Sequence, residues 1–267
     1  MTLGEWLDKW ANVYKKPYIK ESSFYRMNTV IRKHVPEDLK RISLKKLTVF
    51  DLDKAISECK MSRTRKYLYH VLSSSLKKAY KLDLVPRDFS IKMEVAKHRQ
   101  KNGEALTRSE QVEFLEKIKN SAYRELFEFY LYTGCRRSEA LNLQWDDIRL
   151  GDGVIRIRGT KTVSSNRIIF LTSDIADVLR RQKAKKLDKI KVFPYNKDNI
   201  SHAFKRFCPT HKLHDLRHTF ITRCAESGIN INVAQKLAGH SDIKTTLQIY
   251  THVTTDFQRK EFEKFEL

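Results

Sequence analysis

Apolar side chains recur at helical spacing through the first 85 residues. Trp6, Trp10 and Tyr14 follow one another every four residues, which places them on one side of a helix. Thr2 and Glu5 precede them as a capping box, in which hydroxyl and carboxylate satisfy each other's free backbone amides. Three more helices are predicted with these inward positions: residues 22–34 with Tyr25, Met27, Val30 and Ile31; a helix opening at Thr48 with Phe50, Leu52 and Ile56; and residues 62–82 with Tyr67, Val71, Leu72, Leu76 and Tyr80. The pattern indicates a four-helix domain over residues 1–85.

The helical pattern loosens between residues 86 and 103. Pro86 ends the last helix, and residues 97–102 are polar and basic, so 86–103 is interpreted as a linker. A second capping box, Thr107 with Glu110, opens a new domain that extends over residues 104–267.

The period changes inside this second domain. Helices are predicted at 109–119, at 122–132 and just after Gly134, and alternating stretches at 154–158 and 167–171 predict two strands joined by a turn over 159–166. Further helices are predicted at 173–186, 200–207, 214–227, 232–237, 243–250 and 255–265. The expected fold class is therefore mainly α with a small antiparallel β-sheet: a helical N-terminal domain followed by an α+β domain.

The charge balance then suggests a partner. The 267 residues contain 53 Lys and Arg against 32 Asp and Glu, a net charge of +21, and residues 1–103 alone carry a net +13. Clustered cations favour a nucleic acid, because binding releases the counterions of its phosphates. The candidate DNA-binding side chains of the first domain are Arg63, Arg65, Lys66, Lys77 and Lys78.

Membrane and secreted classes are disfavoured. The longest apolar runs are far shorter than the roughly 20 residues that cross a bilayer, and the polar N-terminus does not look like a signal peptide. Four scattered cysteines fit the reducing cytoplasm better than a disulfide scaffold. The expected location is the cytoplasm, in association with the nucleoid.

Several protic and cationic residues of the second domain stand at the ends of predicted elements. Arg136 follows a glycine at a helix start, Lys161 lies in the hairpin turn, and His214 and Arg217 share one helix face. His240 and Tyr250 flank a later helix. Taken singly, each is more often a turn, a solvated loop tip or a satisfied core residue.

Together, their order and spacing resemble the catalytic domain of the tyrosine recombinases, the phage integrase family. Residues 133–139 read TGCRRSE and look like the family's first arginine motif, which matches Arg136 to a catalytic arginine and Glu139 to a supporting acid. Residues 159–162 read GTKT and match Lys161 to the lysine of the β-hairpin. Residues 214–220, HDLRHTF, are similar to the His-x-x-Arg box, and residues 237–241, LAGHS, resemble the third motif with its histidine at 240. Tyr250 falls where the family has its nucleophile.

The resemblance implies a site-specific DNA recombinase, or integrase, that cleaves and rejoins DNA through a 3′-phosphotyrosine, for integration or excision of a phage or mobile element. The residue types suit this chemistry, since two guanidiniums can clamp the non-bridging oxygens of a phosphate. Arg136 and Arg217 would form the clamp with help from His240, and Tyr250 would attack phosphorus. His214 is the candidate base and Lys161 the candidate acid. The phosphotyrosine keeps the bond energy, so no metal and no cofactor is expected.

The resemblance also implies partners. They are double-stranded DNA with core recombination sites, accessory DNA-bending factors of the host or the element, and further copies of the chain in a homotetramer. Phe257, Phe262 and Phe265 on the last helix are expected to dock on a neighbouring protomer, with docking in cis as the alternative.

Alternatives remain beside this hypothesis. A Xer-like recombinase that resolves replicon dimers and a type IB topoisomerase share the chemistry, and a non-catalytic DNA-binding regulator would share the fold. Cys208, His211, His214 and His218 suggest a zinc site, but Pro209 and a helix start interrupt their run. Cys135 is interpreted as a buried thiol rather than a nucleophile.

Overall fold

The computed structural model describes residues 1–93, 103–159 and 166–239 and, further on, the single positions 243, 246, 247, 250 and 262. The chain divides into two compact units, Met1–Lys101 and Asn102–Leu267, each with its own hydrophobic core. Lys161, His240 and most of the helices expected at 243–250 and 255–265 fall outside the described residues.

The first unit is built from helices that enclose an apolar core. They are α1 (Leu3–Trp10), α2 (Glu21–His34), α3 (Glu37–Arg41), α4 (Val49–Glu58) and α5 (Ser62–Tyr80), with a π turn at Ala11–Lys15 and 3₁₀ turns at Lys16–Tyr18 and Phe89–Ile91. The capping box of Thr2 and Glu5 is confirmed, and Thr48 with Asp51 caps α4 in the same way. The indole N–H of Trp6 donates to the carbonyl of Ser75 at 3.1 Å, which ties α1 to α5 inside the core.

Three aromatic side chains predicted to lie inward are instead exposed. Tyr25 is 71% and Phe50 75% exposed, and Tyr80 is also exposed at the end of α5. Each of the first two lies two positions before the buried stripe of its helix, and two positions correspond to about 200° of rotation. The predicted count of four helices is also too low, because Pro36 ends α2 and at the same time precedes α3.

The first unit extends beyond residue 85. Phe89 is fully buried and Met93 nearly so, and both belong to the same core as Val85. Residues 86–93, which the sequence pattern assigns to the linker, therefore pack against the first unit.

The second unit combines seven described helices with one small sheet. The helices are α6 (Arg108–Ile118), α7 (Arg124–Thr133), α8 (Arg137–Leu141), α9 (Ser173–Ala184), α10 (Lys197–Phe207), α11 (Asp215–Glu226) and α12 (Ile231–Ala238). Helix α7 lies between α9 and α11, and nearly all of its side chains are buried. Phe114, Phe127 and Phe204 pack together between α6, α7 and α10 with ring centroids 5.4–6.0 Å apart, and Phe204 meets both other rings edge to face.

The sheet has three antiparallel strands in the order β1-β2-β3: Ile148–Arg149, Val154–Ile157 and Arg167–Phe170. Ile155 pairs with Ile169, and both are buried, whereas Arg156 on the other face is exposed. The two strands predicted from alternation are confirmed. The short β1 is too brief to show a period and was not predicted.

Within the described part of the chain, no helix is both long and apolar enough to cross a bilayer. The mainly helical fold with one small antiparallel sheet agrees with the fold class expected from the sequence.

Candidate active site

A glycine turn after α7 sets the position of Arg136. Gly134 ends α7 with φ +61°, and a Cβ there would meet the Phe220 ring at 2.4 Å, so both the backbone angle and the space require glycine. Arg136 follows at the N-terminus of α8, and its side chain remains partly exposed. Its guanidinium donates to Glu139 Oε1 and to the carbonyl of Gly239, both at 2.7 Å. The Arg136 side chain therefore connects the start of α8 to the end of α12.

The carboxylate of Glu139 is the centre of this arrangement. Its side chain is completely buried and accepts hydrogen bonds from Arg136, through both backbone and guanidinium, and from Arg167 at 3.0 Å. Burial acts to raise the pKa of Glu139, but Arg167 and Arg136 outweigh it and the net shift is downward. The carboxylate is therefore ionised at neutral pH and orients two cations.

Arg167 is a member of the cluster that the sequence analysis missed. Its Nε donates to the carbonyl of Leu237 at 2.6 Å, so it caps the end of α12 next to Arg136. Gly239, at φ +70°, lies against the Arg167 guanidinium, and a Cβ there would stand 2.8 Å from Nη1. The signal was present, since alternation in β3 places Arg167 on the same face as the buried Ile169. A cation on an inward strand face needs a buried anion, and Glu139 is that anion.

The change Arg167→Gln should destabilise the second unit by about 3 kcal/mol, because the buried Glu139 would keep only the partly exposed Arg136 as its cation and the Leu237 carbonyl would lose its donor. Urea denaturation would measure this loss in free energy of unfolding. Arg149→Gln is the matched control on β1, since its ion pair with Asp152 is exposed and long, at 3.7 Å. Equal stability of the two variants would contradict a structural role for the Arg167–Glu139 pair.

Arg217 lies deeper than Arg136. It is 2% exposed on α11, and its Nη1 donates to the carbonyl of Gly134 at 2.7 Å. Among the residues that the structure describes, nothing accepts a hydrogen bond from the buried Nη2. Burial first, then Arg136 and Arg167, lower the pKa of Arg217 to about 9, so it stays a cation at neutral pH. A buried cation with a spare donor is suited to an anionic ligand.

His214 stands one turn from Arg217, at the N-terminus of α11. The residue retains exposed surface, and its ring contacts the His218 ring edge to face, with centroids 5.1 Å apart. The protein around the rest of the ring desolvates it, and together with His218 and Arg217 this lowers the pKa of His214 to about 4. His214 is therefore neutral at physiological pH and can accept a proton.

Tyr250 is half-buried, and its hydroxyl already has a partner. The phenol donates to the carbonyl of Ile229, in the loop between α11 and α12, at 2.8 Å. Burial, together with the neighbouring Cys224, raises the pKa of Tyr250 to about 12. In this arrangement the oxygen is a weak nucleophile, and its proton is used in a structural hydrogen bond.

The structure thus brings Arg136, Glu139 and Arg217 together, with His214 beside Arg217. It gives Tyr250 a separate hydrogen-bond partner in Ile229. Lys161 and His240 lie outside the described residues. His240 directly follows Gly239, whose carbonyl Arg136 holds.

The proposed DNA-binding cations of the first unit lie on α5. Arg63, Lys66 and Lys77 are exposed. Arg65 donates through Nε to the carbonyl of Cys59 at 2.9 Å, and Lys78 lies 4.5 Å from the centre of the Tyr14 ring. These last two side chains therefore also serve the packing of their own unit.

The zinc alternative finds no support in the geometry. Within the described part of the chain, no three His, Cys, Asp or Glu side chains are grouped so as to hold a metal ion. His211 instead faces Glu110 at 3.4 Å and Asp215 at 3.6 Å. Cys135 is buried, and its burial raises the pKa of the thiol, as expected for an inert side chain.

Family models match most of the chain. Residues 104–256 match the phage integrase family, and residues 2–59 match the phage integrase N-terminal SAM-like domain. The chain belongs to the phage integrase family. The sequence-based assignment to the tyrosine recombinases is confirmed by this match.

Curated relatives and solved structures agree with this membership. Tyrosine recombinase XerA of Saccharolobus solfataricus is 35% identical over 179 residues, which cover 66% of this chain and 61% of that protein. Tyrosine recombinase XerD of Staphylococcus haemolyticus is 29% identical over 203 residues, covering 67% of this chain and 68% of that one. The match thus spans about three fifths of the archaeal relative's length.

Two solved structures share the fold along most of the chain. The Tn1549 transposon integrase in complex with a circular intermediate DNA has a TM-score of 0.83 at 20% identity, covering 99% of this chain and 100% of that chain. A lambda integrase tetramer bound to a Holliday junction has a TM-score of 0.79 at 20% identity, covering 93% and 77%. At this identity the likeness establishes the fold.

Proposed function

We propose that the protein is a site-specific DNA recombinase that cuts and rejoins strands through a 3′-phosphotyrosine at Tyr250. The observation that carries this proposal is the cluster of Arg136 and Arg217, which buried Glu139 and the carbonyls of Gly134 and Gly239 hold in place. Two fixed guanidiniums form a clamp for one phosphodiester, and such preorganised donors are usually the largest catalytic effect. Family membership supports the same chemistry.

Each step of the reaction has a candidate residue. The Tyr250 oxygen attacks phosphorus and forms the new P–O bond, and neutral His214 takes its proton. Arg136 and Arg217, with His240, bind the two non-bridging oxygens as their charge grows. The 5′ oxygen leaves with a proton from Lys161. Because one phosphoester replaces another, the reaction needs no energy input and reverses with a second strand.

The Tyr250 side chain must move before it can attack. Its hydroxyl donates to Ile229, and the buried Arg217 Nη2 cannot reach a phosphate while it is covered. We infer that binding of DNA, or of a neighbouring protomer, releases the tyrosine and opens the clamp. The resting protein would then cleave DNA poorly on its own.

The partners follow from the same proposal. Double-stranded DNA would contact both the active site and the cationic side chains of α5. Exchange of the last helix between protomers would assemble a tetramer, and the lambda integrase of similar fold was solved as a tetramer on a Holliday junction. Phe262, 78% exposed, is the described member of the three phenylalanines expected in that contact. The protein would act at the nucleoid in the cytoplasm, with accessory DNA-bending factors on longer sites.

A nicked suicide substrate tests the proposal. Incubating the full-length protein with such DNA, made from the element or replicon sequence that flanks its gene, should yield a covalent adduct on a denaturing gel. Peptide mapping should place the nucleotide on Tyr250. Absence of an adduct on every flanking sequence, while DNA binding persists, would favour the non-catalytic regulator instead.

The names of the curated relatives favour the Xer-like form of this proposal over a topoisomerase. A plasmid with two directly repeated sites separates these possibilities. Recombination should release two smaller circles, whereas a type IB topoisomerase would only relax the plasmid.

The rate of DNA cleavage should not fall as the pH is lowered through 6.5, the ordinary pKa of a histidine. With the pKa of His214 lowered to about 4, the base stays unprotonated in the free protein down to about pH 5. Single-turnover cleavage rates measured at subsaturating protein depend on the ionisation of groups in the free protein. His214 should therefore cause no change in these rates between pH 5.5 and 7.5.

The same shift affects folding. The unfolded chain binds a proton at His214 near pH 6.5 and the folded chain only near 4, so this contribution to stability is complete above about 6.5 and is lost as pH falls towards 4. Circular dichroism at each pH checks that the protein remains folded. A cleavage rate that halves near pH 6.5 in folded protein would contradict a neutral, desolvated His214.

Replacing Lys161 by alanine should slow cleavage of ordinary DNA by roughly 10²–10⁴-fold, the usual contribution of a general acid. A substrate with a 5′ bridging sulfur should be cleaved by the variant almost as fast as by the wild type, since a thiolate leaves without a proton. Equal slowing of both substrates would argue that Lys161 is not the acid.

A further inference from the structure

An open cavity lies beside the arginine cluster. Its volume is about 340 Å³. The residues around it are Tyr130, Cys135, Arg137, Ser201, Lys212, Leu213 and His214. All belong to the second unit, and among these described lining residues there is no Asp or Glu. The cavity is therefore a cationic recess next to the candidate base.

Arg137 is held in a fixed position at the edge of this cavity. Its Nη1 donates to Ser201 Oγ at 2.9 Å and to the carbonyl of Lys197 at 3.2 Å, both on α10. The Tyr130 hydroxyl donates to the Arg137 carbonyl at 3.4 Å. Both side-chain hydrogen bonds to described residues use Nη1, which leaves Nε and Nη2 as donors for a ligand.

Lys212 supplies the second cation. Its backbone N–H donates to Asp215 Oδ2 at 2.8 Å, which fixes the chain just before α11. The side chain is exposed, and no described residue forms an ion pair or a hydrogen bond with its ammonium group. The proposed clamp and base do not use either Lys212 or Arg137.

The cavity adjoins the active site through two of its residues. His214 lines the cavity and is also the candidate base, and Cys135 directly precedes Arg136. Successive phosphates of one DNA strand are separated by only about 3.4 Å of helix rise. A strand with its scissile phosphate on Arg136 and Arg217 therefore carries its next phosphate within reach of this recess.

We propose that Arg137 and Lys212 bind the phosphodiester adjacent to the scissile one. This subsite rests on the proposed recombinase function and adds a second fixed point on the cleaved strand. Two anchored phosphates fix the direction of the strand at the scissile linkage, whereas a single clamp would leave the strand able to pivot about one phosphate. The function of the subsite is therefore to orient the cleaved strand relative to Tyr250.

Methylphosphonate substitution tests the subsite. Once the cleaved linkage has been mapped with the suicide substrate, single neutral methylphosphonates are placed at each phosphate within three nucleotides of it. For the wild-type protein, one adjacent position should lower binding or adduct formation about tenfold, as expected for a charge-assisted contact. Lys212→Ala and Arg137→Gln should each lower binding or adduct formation on unmodified DNA. In these variants, a methylphosphonate at the sensitive position should cause no further loss.

Two controls make the result specific. Lys189→Ala removes an exposed lysine that lies outside the cavity, and it should retain the full wild-type response to methylphosphonate. The slope of log affinity against log salt should fall by about 0.9 for each lost phosphate contact. Since Lys212 and Arg137 are exposed, both variants should fold, and a thermal melt checks this.

The outcomes separate the two proposals. If the substitution and the methylphosphonate lowered binding or adduct formation independently at every position, while the wild-type protein still formed the adduct, the subsite would be overturned. The recombinase function would then still stand. Failure of the wild-type protein to form any adduct would overturn the recombinase function, and the subsite with it.

Discussion

Replacing Tyr250 by phenylalanine should abolish the covalent protein–DNA adduct while leaving DNA binding unchanged. The change removes the oxygen that we propose bonds to phosphorus, and it keeps the ring. Tyr130 and Cys135, which also lie near the arginine cluster, are poor alternatives, because their side chains are almost completely buried whereas Tyr250 is only half-buried. The loss of the hydrogen bond to Ile229 should cost only about 1 kcal/mol of stability.

Tyr195→Phe is the matched control for this experiment. The Tyr195 hydroxyl also donates to a backbone carbonyl, that of Ala122, at the same distance of 2.8 Å. It should lose similar stability and keep full adduct formation. An adduct that persists in Tyr250→Phe would show that another residue is the nucleophile.

Replacing Arg217 by glutamine should slow cleavage by about 10²–10³-fold, the usual cost of losing one fixed donor to a developing oxyanion. The loss should fall on the rate of adduct formation at saturating DNA and much less on affinity, because the contact strengthens as the phosphate gains charge. Arg217→Lys should recover little, since an ammonium cannot form the bidentate contact.

Stability should change little in the same variant. Glutamine loses the bond to the Gly134 carbonyl, but it also removes a desolvated cation that Arg136 and Arg167 repel. Arg180→Gln, an exposed change on α9, controls for the loss of one positive charge. If both variants cleaved equally well, Arg217 would not be part of the clamp.

Part of the site is encoded in short stretches of the chain. Arg136, His214 and Arg217 could be predicted because each belongs to a short motif of neighbouring residues. Arg167 belongs to no such motif, and its role depends on Glu139, which lies 28 residues earlier and reaches it only in the folded chain. The same limit applies to Tyr250, since its hydrogen bond to Ile229 joins positions 21 residues apart.

Packing explains the remaining differences. Tyr25 and Phe50 are apolar enough to be counted as core, yet helical geometry turns them away from the buried stripe. Phe89 and Met93 follow a proline in a weakly patterned stretch, and their burial became visible only in the folded unit. The sequence shows that these side chains are apolar, but whether each one faces the core depends on how the helices pack in the folded unit.

Under the proposed mechanism, the hydrogen bond between Tyr250 and Ile229 would have a consequence for the cell. A recombinase meets vast numbers of irrelevant linkages before it reaches its own site. A phenol that is occupied at rest would spare those linkages during the search, so bystander strands would stay unbroken. Harm would then be confined to places where the correct assembly frees the phenol.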